Sequence, residues 1–60
     1  MHINELRKLS DEQVIAVLKE TSEKYGDSLE YADMNDTVFD VLCERHGDEK
    51  AINIINAAFE

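Results

Sequence analysis

The stretch from Gly26 to Asp48, GDSLEYADMNDTVFDVLCERHGD, interleaves an acidic row and an apolar row at helical spacing. Extended by one residue to Glu49, it holds eight acidic residues against Arg45 alone, and so seven units of the net charge of −8. Side chains that recur three and four positions apart share one face of an α-helix. The stretch therefore predicts helical structure with one acidic side and one apolar side.

Two arrangements of this stretch compete. In the first, one helix runs over 28–46. In the second, a short helix near 28–34 is followed by a break and then by a new helix that Asp36 caps. We favour the break, because Asn35-Asp36-Thr37 are weak helix formers that prefer caps and turns.

The segment before this stretch predicts one well-defined helix. Ser10 and Gln13 have the spacing of a capping box, in which each side chain bonds the backbone N–H of the other residue. A helix over 11–25 should follow, and it should end at Gly26, which can adopt the left-handed conformation of a C′ residue. The first residues predict one short helical turn or a packed arm, because apolar residues recur there at three-residue steps: Ile3, Leu6 and Leu9.

A last helix is predicted from Asp48, as its cap, through Phe59, after a stop at Gly47. The predicted fold class is therefore all-α: one domain over 1–60 that forms a small three-helix bundle, with a fourth short helix near 28–34 in the broken arrangement. The predicted core consists of Val14, Val17, Leu18, Val38, Leu42, Ile52 and Ile55, with Tyr25 and Phe59 at its edges.

The size of the chain restricts the function classes. A chain of 60 residues buries only about 60% of its unfolded surface and is marginally stable without help. The single cysteine, Cys43, excludes an internal disulfide, and two histidines beside it suggest no closed zinc shell. We therefore expect no metal and no cofactor, and we expect association with another protein or with a second copy as a homodimer.

The charge of the chain restricts its partners. A pI near 4.5 argues against direct binding to nucleic acid or to an anionic membrane, because both would repel the protein. A partner selected by charge should be a basic protein. No apolar run approaches the roughly 20 residues of a membrane span, and the N-terminus lacks the pattern of a secretory leader. These features predict a cytoplasmic protein.

One pattern in the central stretch is comparable with a calcium loop. Asp33, Asn35, Thr37 and Glu44 occupy positions 1, 3, 5 and 12 of the EF-hand pattern. Position 6 of that loop must be Gly to make its sharp turn, and Val38 stands there in this chain. The pattern therefore predicts an acidic helix face rather than a calcium site.

Asp27-Ser28-Leu29 matches the triplet at which acyl carrier proteins carry phosphopantetheine on serine. Over these three residues the chain resembles that family, whose members are also small, acidic and helical. The resemblance implies a carrier function in which Ser28 is the modified residue.

Catalysis is not expected from this sequence. Cys43 and His46 are three positions apart and close enough to touch on one helix, but Asp40 and Glu44 should raise the pKa of the thiol. A helical chain of this length also has little room for a substrate pocket of several hundred cubic ångströms. The sequence therefore predicts a protein that is not an enzyme.

Two surfaces remain as candidate binding sites. The first, called the acidic ridge, has carboxylates at steps of 3, 3, 4 and 4 residues: Glu30, Asp33, Asp36, Asp40 and Glu44. The second, called the apolar surface, has side chains in excess of one inward-facing stripe: Tyr31, Met34, Phe39 and Val41. An acidic row of this kind is also typical of a face that only keeps a protein soluble.

The leading hypothesis is a non-enzymatic module for protein–protein interaction or regulation, with self-association as one form of it. The first alternative is an acidic inhibitor or nucleic-acid mimic that binds the basic surface of a nucleic-acid-binding protein. The second alternative is the carrier modified at Ser28.

Overall fold

The computed structural model describes residues 2–60, which form four α-helices. The elements are α1 (Ile3–Leu6), α2 (Asp11–Tyr25), α3 (Leu29–His46) and α4 (Asp48–Ala58), and residues 2–60 contain no strand. The Cα radius of gyration is 10.5 Å, close to the value of about 10 Å for a compact chain of this length. The predicted all-α class and the small helical bundle are confirmed.

The start of α2 is fixed by local hydrogen bonds. The Ser10 hydroxyl accepts a bond from the Gln13 N–H at 3.2 Å, and the Gln13 side-chain carbonyl accepts one from the Ser10 N–H at 3.0 Å. This reciprocal pair is the predicted capping box, and the predicted helix over 11–25 is confirmed. The N-terminal residues form the short helix α1, which begins after His2.

The central stretch forms one unbroken helix, α3, so the favoured break at Asn35-Asp36-Thr37 is wrong. The residues predicted as a separate helix near 28–34 belong to α3. The Thr37 hydroxyl donates to the carbonyl of Asp33 at 2.9 Å, so the helix backbone one turn earlier satisfies this polar side chain. Next to it, Val38 is fully buried. Burial of one face stabilises this turn more than the weak propensities oppose it.

Two glycines end α2 and α3 where the sequence predicts. Gly26 has a φ of 58° and donates to the carbonyl of Ser22 at 2.9 Å. Gly47 has a φ of 90° and donates to the carbonyl of Cys43 at 2.9 Å. Gly47 is also the N-cap of α4, so the prediction that Asp48 is the cap is wrong. Asp48 is the first helical residue, where its charge complements the helix dipole.

The helix α3 is the centre of the bundle, because it packs against α1, α2 and α4. Only the three residues 26–28 separate α2 from α3, and so short a connection makes the two helices antiparallel neighbours. Fully buried side chains from all four helices meet between them and form the core: Leu6, Val14, Leu18, Val38, Val41, Leu42 and Ala51.

The predicted core is correct in the middle of α2 and α3 and wrong at the edges. Val17 and Ile55 are only partly buried, whereas Ile52, Tyr25 and Phe59 are 48%, 52% and 42% exposed. In α4 the inward stripe runs through Ala51, with Ile54 and Ile55 one turn further on. Ile52 is therefore about 100° away from this stripe. Leu6 and Val41 are core residues that the predicted core omits.

Candidate functional site

The acidic ridge lies on one side of α3. Because α3 is continuous, its steps of three and four residues place these carboxylates on neighbouring turns of one face. All five residues are exposed: Glu30, Asp33, Asp36, Asp40 and Glu44. A break at Asn35-Asp36-Thr37 would have split the ridge, so the continuity of α3 is what creates this surface.

The two ends of the acidic ridge are held by neighbouring groups. At the C-terminal end, the Arg7 guanidinium donates to both carboxylate oxygens of Glu44, at 3.0 and 2.7 Å. This bond lowers the pKa of Glu44. At the N-terminal end, the backbone N–H of Glu30 lowers the pKa of its own carboxylate. Both groups therefore stay charged at neutral pH.

The middle of the acidic ridge is open to solvent. Asp33, Asp36 and Asp40 form no ion pair within residues 2–60. Charges of this kind are available to a partner without the loss of an internal ion pair.

A second polar cluster joins the start of α2 to the end of α3, and the sequence does not predict it. The Arg45 guanidinium donates to Asp11 at 2.8 Å and to the carbonyl oxygens of Arg7 and Leu9 at 3.1 and 2.6 Å. The His46 Nε2 lies 2.8 Å from the other oxygen of Asp11. Arg45 is the one Arg or Lys among the acidic residues of the central stretch. Its position there is the sequence signal from which an ion pair of Arg45 could have been predicted.

This cluster has a structural role. Arg45 first, and His46 second, lower the pKa of Asp11. The backbone carbonyls at the end of α1 have no partner inside so short a helix, and the guanidinium supplies donors for them. The cluster therefore attaches α1 and the following turn to α3.

An open cleft lies between α2 and the N-terminal half of α3. Its volume is about 520 Å³, so the expectation that the chain has little room for a pocket of several hundred cubic ångströms is wrong. The apolar lining comes from Val17, Tyr25 and Met34, and both helices contribute carboxylates at its rim. The lining residues are Val17, Glu20, Thr21, Lys24, Tyr25, Glu30, Asp33, Met34 and Thr37.

The charge of the cleft is negative. The carboxylates of Glu20, Glu30 and Asp33 line it together with one ammonium group, that of Lys24. Lys24 lies 3.0 Å from Glu20 and forms an i,i+4 ion pair with it. The carboxylates on α3 are therefore the unneutralised charges at this site.

The predicted apolar surface is wrong in part. Val41 is fully buried in the core, so it cannot contact a partner. Tyr31, Met34 and Phe39 are partly buried and pack against the core. Of these, Met34 also lines the cleft. The large apolar side chains that are exposed lie elsewhere: Tyr25, Leu29, Ile52 and Phe59.

The stretch with calcium-loop spacing is helical. Asp33, Asn35, Thr37 and Glu44 all lie within α3, whereas a calcium loop wraps its ligands around the ion in a non-helical turn. Residues 2–60 contain no group of three or more His, Cys, Asp or Glu side chains placed to hold a metal ion.

Two nucleophilic side chains of the central stretch are poorly accessible. The Ser28 hydroxyl oxygen is buried, and, after the backbone N–H of Glu30 itself, the Ser28 side chain contributes to lowering the pKa of the nearby Glu30. Attachment of phosphopantetheine to the Ser28 hydroxyl would require the turn between α2 and α3 to open. Partial burial of Cys43, with a contribution from Asp48, raises the pKa of the thiol to about 11. The thiol is therefore protonated at neutral pH and is a weak nucleophile.

Comparison with protein-family models, with curated proteins and with solved structures gave no match for this chain. Among the helices of residues 2–60, none combines the length and the apolar character that crossing a bilayer requires. The acidic ridge and the cleft beside it are therefore the features on which a functional interpretation rests.

Proposed function

We propose that this chain is a non-enzymatic protein-binding module that presents the acidic ridge to a basic surface of a partner protein. The observation that carries the proposal is the continuity of α3. It places all five carboxylates on one exposed face, and the three in the middle form no ion pair within residues 2–60. Like charges at i,i+4 spacing destabilise a helix by about 0.2–0.5 kcal/mol per pair. A cationic partner would relieve this repulsion and bind with a fast, salt-dependent association rate.

Affinity capture from a native lysate tests the proposal. The wild-type protein should retain a partner at about 50 mM salt and release it at about 500 mM, because salt screens the attraction between exposed charges. The double variant Asp33→Asn with Asp40→Asn should retain far less of the same partner. Its matched control, Glu23→Gln with Glu49→Gln, removes two exposed carboxylates outside the acidic ridge. Retention that responds neither to salt nor to the ridge variant contradicts the proposal.

A second candidate function is an acidic inhibitor that mimics nucleic acid. The acidic ridge supports it because it is a linear array of negative charge. Its carboxylates recur at steps of 3 and 4 residues, or about 4.5–6 Å along the helix axis. One strand of DNA carries a charge about every 3.4 Å. This lower charge density makes mimicry the second candidate. Competition between the protein and duplex DNA for the captured partner distinguishes nucleic-acid mimicry from binding to a basic protein of another kind.

Self-association as a homodimer is a separate candidate that would use apolar side chains outside the acidic ridge. Ile52 on α4 and Phe59, which directly follows α4, are both exposed apolar side chains. The net charge of −8 opposes contact between two copies. Sedimentation velocity at rising protein concentration, at low and high salt, measures whether a dimer forms.

A further inference from the structure

One stripe of α3 is covered at one end and open at the other. Met34 and Val41 are seven residues, or about two turns, apart and so lie on the same side of α3. Val41 is fully buried in the core together with Leu6 of α1. Met34 is only partly buried and lines the open cleft. The helix α1 has only four residues and packs against the C-terminal end of α3, where Arg7 bonds Glu44.

The covered end shows which chemistry this side of α3 accepts. Leu6 is a fully buried aliphatic side chain, and the next residue, Arg7, pairs with Glu44 through both carboxylate oxygens. The open end has side chains of the same two kinds, but in a different order. Met34 lies seven residues before Val41, and the carboxylate of Glu30 precedes Met34 by four positions, whereas Glu44 follows Val41 by three. Asp33 stands beside Glu30 and Met34 on the rim of the cleft.

We infer that the cleft is a docking site for a segment of a basic partner protein in which a large aliphatic side chain stands next to arginine or lysine. The aliphatic group packs on Val17 and Met34, and the cation pairs with Glu30 and Asp33. Charge complementarity supports this occupant, because Glu30 and Asp33 form no ion pair within residues 2–60, and Lys24, the cation that lines the same cleft, is paired with Glu20. The inference rests on the proposed function and adds to it the place and chemistry of the contact.

The test is an NMR titration of ¹⁵N-labelled protein with three synthetic peptides. The probe AALRKLAA repeats the Leu-Arg-Lys-Leu run that the chain itself uses at 6–9. AASRKSAA keeps the cations without the aliphatic groups, and AALQQLAA keeps the aliphatic groups without the cations. The first peptide should shift the amide signals of Thr21, Met34 and Thr37, and both companions should bind at least about tenfold more weakly, a difference of about 1.4 kcal/mol.

A matched pair of variants locates the contact. Asp33 and Asp36 are both exposed acids of α3, but only Asp33 lines the cleft. Asp33→Lys should weaken binding of AALRKLAA by about tenfold more than Asp36→Lys does. Reversing a charge that contacts the peptide changes the electrostatic energy more than reversing a charge further from it. Met34→Gln, which keeps the length of the side chain, should weaken it as well. Circular dichroism verifies that each variant is folded.

The outcomes separate this inference from the proposed function. Equal weakening by Asp33→Lys and Asp36→Lys, or equal binding of AASRKSAA, overturns the docking site and leaves the acidic ridge as a general cation-binding face. Signal shifts confined to the region of Glu44 and Arg45 mean that the peptide displaces α1, and these also overturn the inference. Absence of any salt-dependent binding of a cationic peptide overturns the inference and the proposed function together.

Discussion

The two ends of α3 differ in what covers them, although they have similar sequence patterns. At the C-terminal end, α1 supplies Leu6 to the core and Arg7 to the ridge carboxylate Glu44. At the N-terminal end, the equivalent side of the helix borders a cleft of about 520 Å³. The difference teaches that similar helix faces can be covered or open according to whether a short neighbouring segment supplies an apolar residue and a cation. Within residues 2–60, Leu6 and Arg7 supply them at the C-terminal end.

The largest effect should come from removing the aliphatic group at the covered end. Leu6→Ala should lower the free energy of unfolding by about 2–5 kcal/mol, because it leaves a cavity in the core. Met34→Ala, at the open end, removes a side chain that is only partly buried and should cost about 1–2 kcal/mol. Urea denaturation followed by circular dichroism measures both values. Equal losses would show that the two ends are packed alike.

A smaller effect should follow from removing the guanidinium that attaches α1 to α3. Arg45→Met should cost about 1–3 kcal/mol, because Asp11 and the carbonyls at the end of α1 lose their donors. The control Lys24→Met, beside the cleft, removes an exposed i,i+4 pair with Glu20 and should cost less than about 0.5 kcal/mol. Thermal unfolding of both variants provides the comparison, and a larger loss in the control would contradict it.

The smallest effect is a dependence on pH at the covered end. Arg45, and then His46, lower the pKa of Asp11 from its ordinary value of 3.8. The folded state therefore binds this proton less readily than the unfolded chain. The stability that Asp11 contributes is complete above the unfolded pKa and is lost as the pH falls through the lower, folded pKa. Below that value, wild type and Asp11→Asn should unfold at similar temperatures.

The control for the pH experiment comes from the open end. Asp33→Asn removes an exposed carboxylate that has no ion pair within residues 2–60. Melting temperatures of the wild type, Asp11→Asn and Asp33→Asn between about pH 2 and 6 provide the measurement. A gap between wild type and Asp11→Asn that persists unchanged in acid would show that Asp11 acts through something other than its charge.

Several predictions that depended on neighbouring residues are correct, although the prediction that Asp48 caps α4 is wrong by one residue. The capping box of Ser10 and Gln13 and the helix ends at Gly26 and Gly47 each involve residues no more than four positions apart, and the structure has all of them. Such signals are complete within one turn, so the sequence contains all the information that they need.

The errors arose where distant parts of the chain decide the outcome. The weak propensities of Asn35-Asp36-Thr37 are overruled by packing of the next turn, in which Val38 is buried. Arg45 meets Asp11 34 residues away and the carbonyl of Leu9 36 residues away. Val41 is buried in a core that includes Leu6 of α1. None of these contacts has a signature within a window of one helix.

The sequence predicted the charged residues of the site but not the cleft beside them. The spacing of the acidic ridge was visible in the sequence, but the favoured break would have divided it between two helices. The cleft joins residues of α2 such as Val17 to residues of α3 such as Met34. The cleft therefore depends on how two helices pack against each other, which the periodicity of either helix alone does not show.

The two connections between the long helices depend on the achiral residues of the chain. The chain has only two glycines, and both have positive φ, 58° at Gly26 and 90° at Gly47. With ψ at 164°, Gly47 lies in a region of backbone space that is essentially closed to L-residues. A Cβ at either position would meet no atom within 4 Å. Backbone conformation, and not crowding, therefore restricts these turns to glycine. The direction in which α4 leaves α3 depends on the one achiral residue between them, Gly47.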